Sequence, residues 1–162
     1  MAKKKEEKTN VMRVLEQKNI PYTAHTYPDD GPIDGVSVAN YLQQDVEQVF
    51  KTLVTKAASG NYYVFDIPVA ENLDLKKAAK AVGEKSIAMI KQAQLLPLTG
   101  YIHGGCSPVG MKKLFPTVFH ESCLEQTTIC VSAGKVGFQV EVRPEDLIAL
   151  VRGRTADLTA EG

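Results

Sequence analysis

Two features of this chain could do chemistry on a bound ligand: a lysine set in an apolar strand, Lys51, and the loop Gly100-Tyr101-Ile102-His103-Gly104-Gly105-Cys106-Ser107-Pro108-Val109-Gly110. So many glycines in a short run rule out a helix interior or an ordinary strand, because each gives up conformational entropy without returning packing. The run is a shaped loop. Adjacent Gly104 and Gly105 permit positive φ and let a ligand approach the backbone closely, while Pro108 fixes its own φ and pushes Ser107 toward extended geometry. Successive exposed N–H groups in such a turn form a concavity for an anion or a carbonyl oxygen. Taken alone, the loop reads equally well as a tight surface turn.

Lys51 decides between those readings. Gln48 to Thr55 reads as a strand whose alternation puts Val49, Lys51, Leu53 and Thr55 on one side and Phe50, Thr52 and Val54 on the other. A lysine between apolar neighbours either snorkels to the sheet edge or points its ammonium into an anion-binding pocket. Tyr62 to Val69 follows as a nearly all-apolar strand, so the sheet is covered on both faces and the pocket is favoured. Loop and lysine together suit an anionic or carbonyl-bearing ligand.

Other chemistries fit less well. His25, His103 and His120 do not fall at metal-ligand spacings, so no metal is expected. A Cys106–His103 pair lacks a third group to orient the imidazole. Neither G-x-x-x-x-G-K-[ST] nor G-x-G-x-x-G occurs, which leaves nucleotide hydrolysis and dinucleotide binding without support, and no cofactor is expected.

The elements that must position these residues follow from pattern and turn chemistry. Asn10 caps a helix carrying Val11, Val14 and Leu15, ending near Asn19. Ile20 to Tyr27 reads as a strand closed by Pro28-Asp29-Asp30-Gly31-Pro32, and Asp34 or Ser37 caps a short helix with Val38, Tyr41 and Leu42. Leu73 to Val82 is a lysine-bearing helix, Ser86 to Ile90 a short strand, and Ile90 to Leu96 a helical turn stopped by Pro97. Thr117 to Glu121, Thr127 to Ser132 and Gly134 to Val142 read as strands, the last two joined through Ala133-Gly134-Lys135 as a hairpin. Pro144-Glu145-Asp146 opens a closing helix that Gly153 ends. The expectation is one mixed α/β domain over residues 10–162 behind a tail at residues 1–9.

Composition bounds the setting. With 162 residues, 44% of them hydrophobic, the chain can bury a substantial core. Its 19 basic and 19 acidic residues cancel, leaving no global field to draw in DNA or an RNA body. Cys106, Cys123 and Cys130 are odd in number and lack C-x-x-C spacing, as expected of free thiols in a reducing compartment. The apolar runs are too short to cross a bilayer, and Lys3 to Lys8 lead into no signal-peptide core, so a cytoplasmic protein without membrane contact is expected.

Val49-Phe50-Lys51-Thr52-Leu53-Val54, Leu73-Asp74-Leu75-Lys76-Lys77-Ala78-Ala79-Lys80, the glycine loop and Val131-Ser132-Ala133-Gly134-Lys135, in that order, resemble the YbaK family. These proteins are free-standing relatives of the editing domain inserted in bacterial prolyl-tRNA synthetase. The resemblance implies an α+β fold: a single domain with a mixed, mostly antiparallel sheet surrounded by helices. It also implies deacylation of cysteine mischarged onto proline tRNA. The implied partners are the acceptor end of that tRNA and prolyl-tRNA synthetase. Lys51 would bind the terminal adenosine or its phosphate, and the backbone at Gly104 and Gly105 would hold the reacting carbonyl as oxyanion donors. Tyr27, Tyr101, Ser107, Ser132 and Gln139 would contact substrate. Gln139 stands where close relatives carry an acid, which leaves amino-acid preference open. The family supplies no nucleophile of its own, the substrate's thiol being proposed to attack its own ester, so Cys106 is expected to pack. Deacylation of Ala-tRNA(Pro) or another small aminoacyl-tRNA, and non-catalytic binding of aminoacyl-adenosine, are the competing readings.

Overall fold

The computed structural model describes residues 8–31 and 34–160, so most of the expected tail lies outside the described residues. Strands and helices alternate irregularly: α1 (Asn10–Gln17), β1 (Tyr22–Thr26), α2 (Gly35–Tyr41), β2 (Phe50–Ala57), β3 (Tyr62–Pro68), α3 (Leu75–Val82), β4 (Ile87–Met89), α4 (Gln92–Thr99), β5 (Thr117–His120), β6 (Ile129–Ser132), β7 (Phe138–Val142), α5 (Pro144–Leu150) and β8 (Arg154–Ala156). The mixed α/β fold is as the sequence implies, but the strands form two sheets. One is antiparallel in the order β1-β7-β6; the other runs β4-β2-β3-β5-β8. In the latter β2 pairs antiparallel with β3 and β4, while β5 is parallel to both β3 and β8.

The register assigns the faces. Thr52 and Val54 lie opposite Asp66 and Val64, whereas Leu53 lies opposite Phe65. Phe65 and Ile67 pack with Ala78 and Ala79 of α3 in one core. On the opposite side of β2, Phe50 joins the larger core, where Val131, Phe138, Val140 and Val142 of the small sheet meet Val11, Met12 and Leu15 of α1 and Tyr101 and Val109 of the glycine loop. That loop is therefore built into the junction of the two sheets.

Local chemistry accounts for most boundaries. Asp74 accepts from the Lys76 and Lys77 amides to start α3, and Gly83 closes it at φ 74. The first helix is capped one residue earlier than expected: the Thr9 hydroxyl accepts from the Met12 amide at 3.3 Å. Pro97 does not stop α4. The helix runs through it to Thr99, whose hydroxyl donates back to the Leu95 carbonyl at 2.8 Å, and Gly100 ends it at φ 87. Between β6 and β7 the turn is wider than a tight hairpin. Gly134 and Gly137 take φ 90 and 98, so the paired strand begins only at Phe138. The edge strand β8 was not anticipated, since three residues, Arg154 to Ala156, carry too little pattern to stand out. No helix among the described residues is long and apolar enough to cross a membrane.

Candidate active site

The two sheets are stitched by one parallel bridge, Val49 to Cys130, with the Cys130 amide donating to the Gln48 carbonyl at 2.9 Å. Beyond it they diverge. On its outer side β2 is covered by β4 at Thr55 to Ala57, and the Ile90 amide donates to the Val54 carbonyl at 3.3 Å. The stretch from Phe50 to Leu53 therefore has an open edge facing Val131 and Ser132 of β6, and a cleft of about 300 Å³ fills the wedge. The Val69 amide donates to Val49, and the Ala57 amide to Asn61, which puts odd-numbered residues of β2 in the hydrogen-bonded pairs with β3. By alternation the main-chain N–H and C=O of Thr52 point away from β3, toward the open edge.

Lys51 and Gly104 both line this cleft. Burial pulls Lys51 below the ordinary lysine value, with the charge of Glu71 acting in the opposite sense. Its ammonium makes no hydrogen bond or ion pair with the described residues, which leaves it available to an anionic group. Gly104 sits at φ 89, open to glycine at little cost. Gly105 behaves differently: its amide donates to the Ile102 carbonyl at 3.0 Å, and its Cα lies where a Cβ would meet the Val136 amide at 3.2 Å. The expected pair of oxyanion donors thus divides. Gly104 faces the cleft, while Gly105 fits the loop against the β6–β7 turn.

The remaining expected contacts divide in the same way. Tyr27, Ser132 and Gln139 line the cleft. Tyr101 and Ser107 do not line it: the Tyr101 hydroxyl donates to the Val109 carbonyl at 2.5 Å, and the Ser107 hydroxyl accepts from the Val109 amide at 3.2 Å. Both hold the loop in shape. Gln139 is 3% exposed and locked to Gln44 by reciprocal amide bonds of 2.6 and 3.1 Å. The Ser132 hydroxyl accepts from the Gly134 amide at 3.1 Å. Cys106 reaches the cleft wall, but burial, and after it the Asp66 charge, push its thiol up to about 12, so it carries no thiolate near neutrality.

Beneath the cleft, the Thr52 hydroxyl donates to Asp66 at 2.5 Å, and the second carboxyl oxygen of Asp66 is buried without a partner among the described residues. Asp66 stands out in its apolar strand as Lys51 does in β2, but its place beneath the cleft follows from the pairing of β2 with β3. Residue patterns had read Asp34 only as a helix cap, although it borders the cleft. Gly35 follows it, and a Cβ there would overlap Val69 Cγ1.

Strand pairing also brings His25, Cys130 and Glu141 together, their donor atoms within 4.8 Å of one another, which spacing along the chain had not suggested. Two of these groups already satisfy one another. His25 Nε2 lies 2.8 Å from Glu141, whose other oxygen accepts from Thr128 at 2.5 Å, and burial pushes the Cys130 thiol up to about 12. Binding a metal here would require breaking that network and removing the thiol proton.

A cationic residue and a shaped glycine loop meet in the seam of the two sheets, an arrangement suited to a small anionic or ester-bearing ligand. Residues 34–150 match the family described as the aminoacyl-tRNA editing domain, and the chain belongs to that family. It is 44% identical, over 99% of both chains, to a protein of Enterococcus faecalis named "Putative Cys-tRNA(Pro)/Cys-tRNA(Cys) deacylase EbsC". Two crystal structures share the fold. A "putative trans-editing enzyme for prolyl tRNA synthetase" is 24% identical with TM-score 0.81, covering 96% of this chain and 100% of its own. A hypothetical protein is 18% identical with TM-score 0.86, covering 94% and 100%.

Proposed function

We propose that this protein is a trans-editing deacylase that releases cysteine mischarged onto proline tRNA. The observation that carries the reading is the convergence of Lys51 and Gly104 on one cleft in the seam between the sheets. At about 300 Å³ the cleft is at the small end of ligand sites, sized for an aminoacyl group and part of its terminal nucleoside rather than for a nucleic-acid body. Lys51 holds the phosphate or terminal adenosine, and the Gly104 backbone holds the ester carbonyl.

With Cys106 protonated, the enzyme offers no thiolate nucleophile, and the substrate's own thiol attacks the ester carbon. A C–S bond forms, the C–O bond to the ribose breaks, and the thiol proton passes to the departing hydroxyl. A strained thiolactone leaves and is hydrolysed by water. Fixing thiol and carbonyl in line contributes up to roughly 7–11 kcal/mol in favourable intramolecular reactions, less the ring strain. Alanyl and prolyl esters lack the thiol and survive without being excluded sterically, which a pocket does poorly for near-isosteres. The engagement of Gln139 by Gln44, with no acid at that position, favours a second reading: water-driven deacylation of Ala-tRNA(Pro) or another small aminoacyl-tRNA.

A balanced charge of 19 basic and 19 acidic residues limits grip on the tRNA body, so contact is confined to the acceptor end and prolyl-tRNA synthetase supplies the rest in a ternary complex. Incubation with proline tRNA charged with Cys, Ala or Ser, alongside Lys51→Ala, tests the reading. Loss of cysteine alone supports it, loss from several esters supports the broader deacylase, and no loss leaves a binding module.

A further inference from the structure

An aminoacyl ester carries a free α-ammonium as well as a carbonyl, and a cleft that takes the ester must also accommodate that charge. Lys51 has the wrong sign. Gln139 and Ser132 carry no charge, and their oxygens already accept from Gln44 and from the Gly134 amide. Among the described residues bordering the cleft, Asp34 is the one carboxylate.

We infer that Asp34 holds the α-ammonium of the substrate and makes the site selective for esters with an unblocked amine. The deacylase reading supplies the identity of the ligand, and the assignment rests on it to that extent. Three features place the carboxylate. It opens α2, where one oxygen accepts from the Ser37 amide at 2.9 Å; this fixes the group and leaves acceptor capacity for an ammonium. The missing side chain at Gly35 seats the first turn of α2 directly on Val69, itself a cleft residue. The Ser37 amide and hydroxyl hold the Asp34 carboxyl below the usual range, so it is anionic near neutral pH. Lys51 and Asp34 then give the cleft one charge of each sign. That pattern complements a ligand bearing phosphate at one end and amine at the other. Esters whose amine is acylated, as in peptidyl-tRNA, would lose the anionic contact and be spared.

The test measures calorimetric binding of 3′-cysteinylamino-3′-deoxyadenosine, an amide that cannot be cleaved as an ester, and of its N-acetyl derivative. Wild type should bind the free amine about tenfold more tightly than the acetylated form. Asp34→Ser, which keeps an N-cap residue, should abolish that preference while leaving affinity for the acetylated form and the melting temperature unchanged. A wild type that does not distinguish the two compounds overturns the assignment. So does a variant that weakens both equally or neither. If wild type discriminates the compounds yet does not deacylate Cys-tRNA, the deacylase reading fails and the role of Asp34 stands.

Discussion

Thr52 and Asp66 face each other across β2 and β3, and their hydroxyl–carboxyl bond of 2.5 Å places a fully buried acid directly under the cleft. Burial pushes Asp66 up to about 7, the Thr52 bond acting in the opposite direction. Between the carboxyl's ordinary range and pH 7 the folded chain therefore holds a proton that the unfolded chain has released. Stability should fall as pH rises through this window, by about 4 kcal/mol at most. Urea unfolding from pH 4 to pH 9 should show this slope in wild type and a flatter one in Asp66→Asn. An unchanged slope would mean that Asp66 is ionised in the folded state.

Lys51→Ala should reduce single-turnover deacylation of Cys-tRNA(Pro) by at least a hundredfold. It should leave the urea midpoint unchanged or raised, since the ammonium has no protein partner among the described residues to lose and is charged at a cost in its half-buried place. Lys51→Arg should restore little, because a planar guanidinium does not reproduce a compact ammonium in a confined cleft. A large loss of stability in Lys51→Ala would show the residue to be structural instead.

The two loop glycines should separate in their effects. Gly104→Ala places a side chain at φ 89 on the cleft wall and should reduce deacylation, with a stability cost of about 1–3 kcal/mol. Gly105→Ala presses its methyl on the Val136 amide and should act mainly through stability, measurable as a lower melting temperature. Equal activity losses at matched stability would return Gly105 to the site.

Cys106→Ala should leave deacylation of Cys-tRNA(Pro) within about twofold of wild type, because a thiol held near 12 is a poor nucleophile. Its cost should appear in stability, through the lost packing of a half-buried side chain at the loop. Loss of single-turnover cleavage in a folded variant would assign catalysis to this cysteine.

Much of the fold was legible because its signals are local. Alternation located β2, and a nearly unbroken apolar run located β3. What escaped depends on contacts distant in sequence. Two sheets rather than one, the β8 edge, and Asp66 beneath Thr52 are set by pairing between remote strands. At the site, the residue types at Lys51 and Gly104 carried their own physical meaning. The difference between Gly104 and Gly105 turned on one amide directed at Ile102, and Tyr101 and Ser107 turned on contacts with Val109. None of these is encoded in residue type. Asp34 was visible as a cap, but its second role depends on where α2 docks.

Because the cleft is the gap left where two sheets part after a single bridge, its gape is governed by the angle between them. That angle is set largely in the shared core, where Phe119, Val140 and Val142 cluster with Val11 and Leu15 away from the cleft wall. Substitutions deep in that core can therefore retune which acyl groups are admitted while leaving every contacting side chain intact. Selectivity and folding in this protein draw on the same buried atoms.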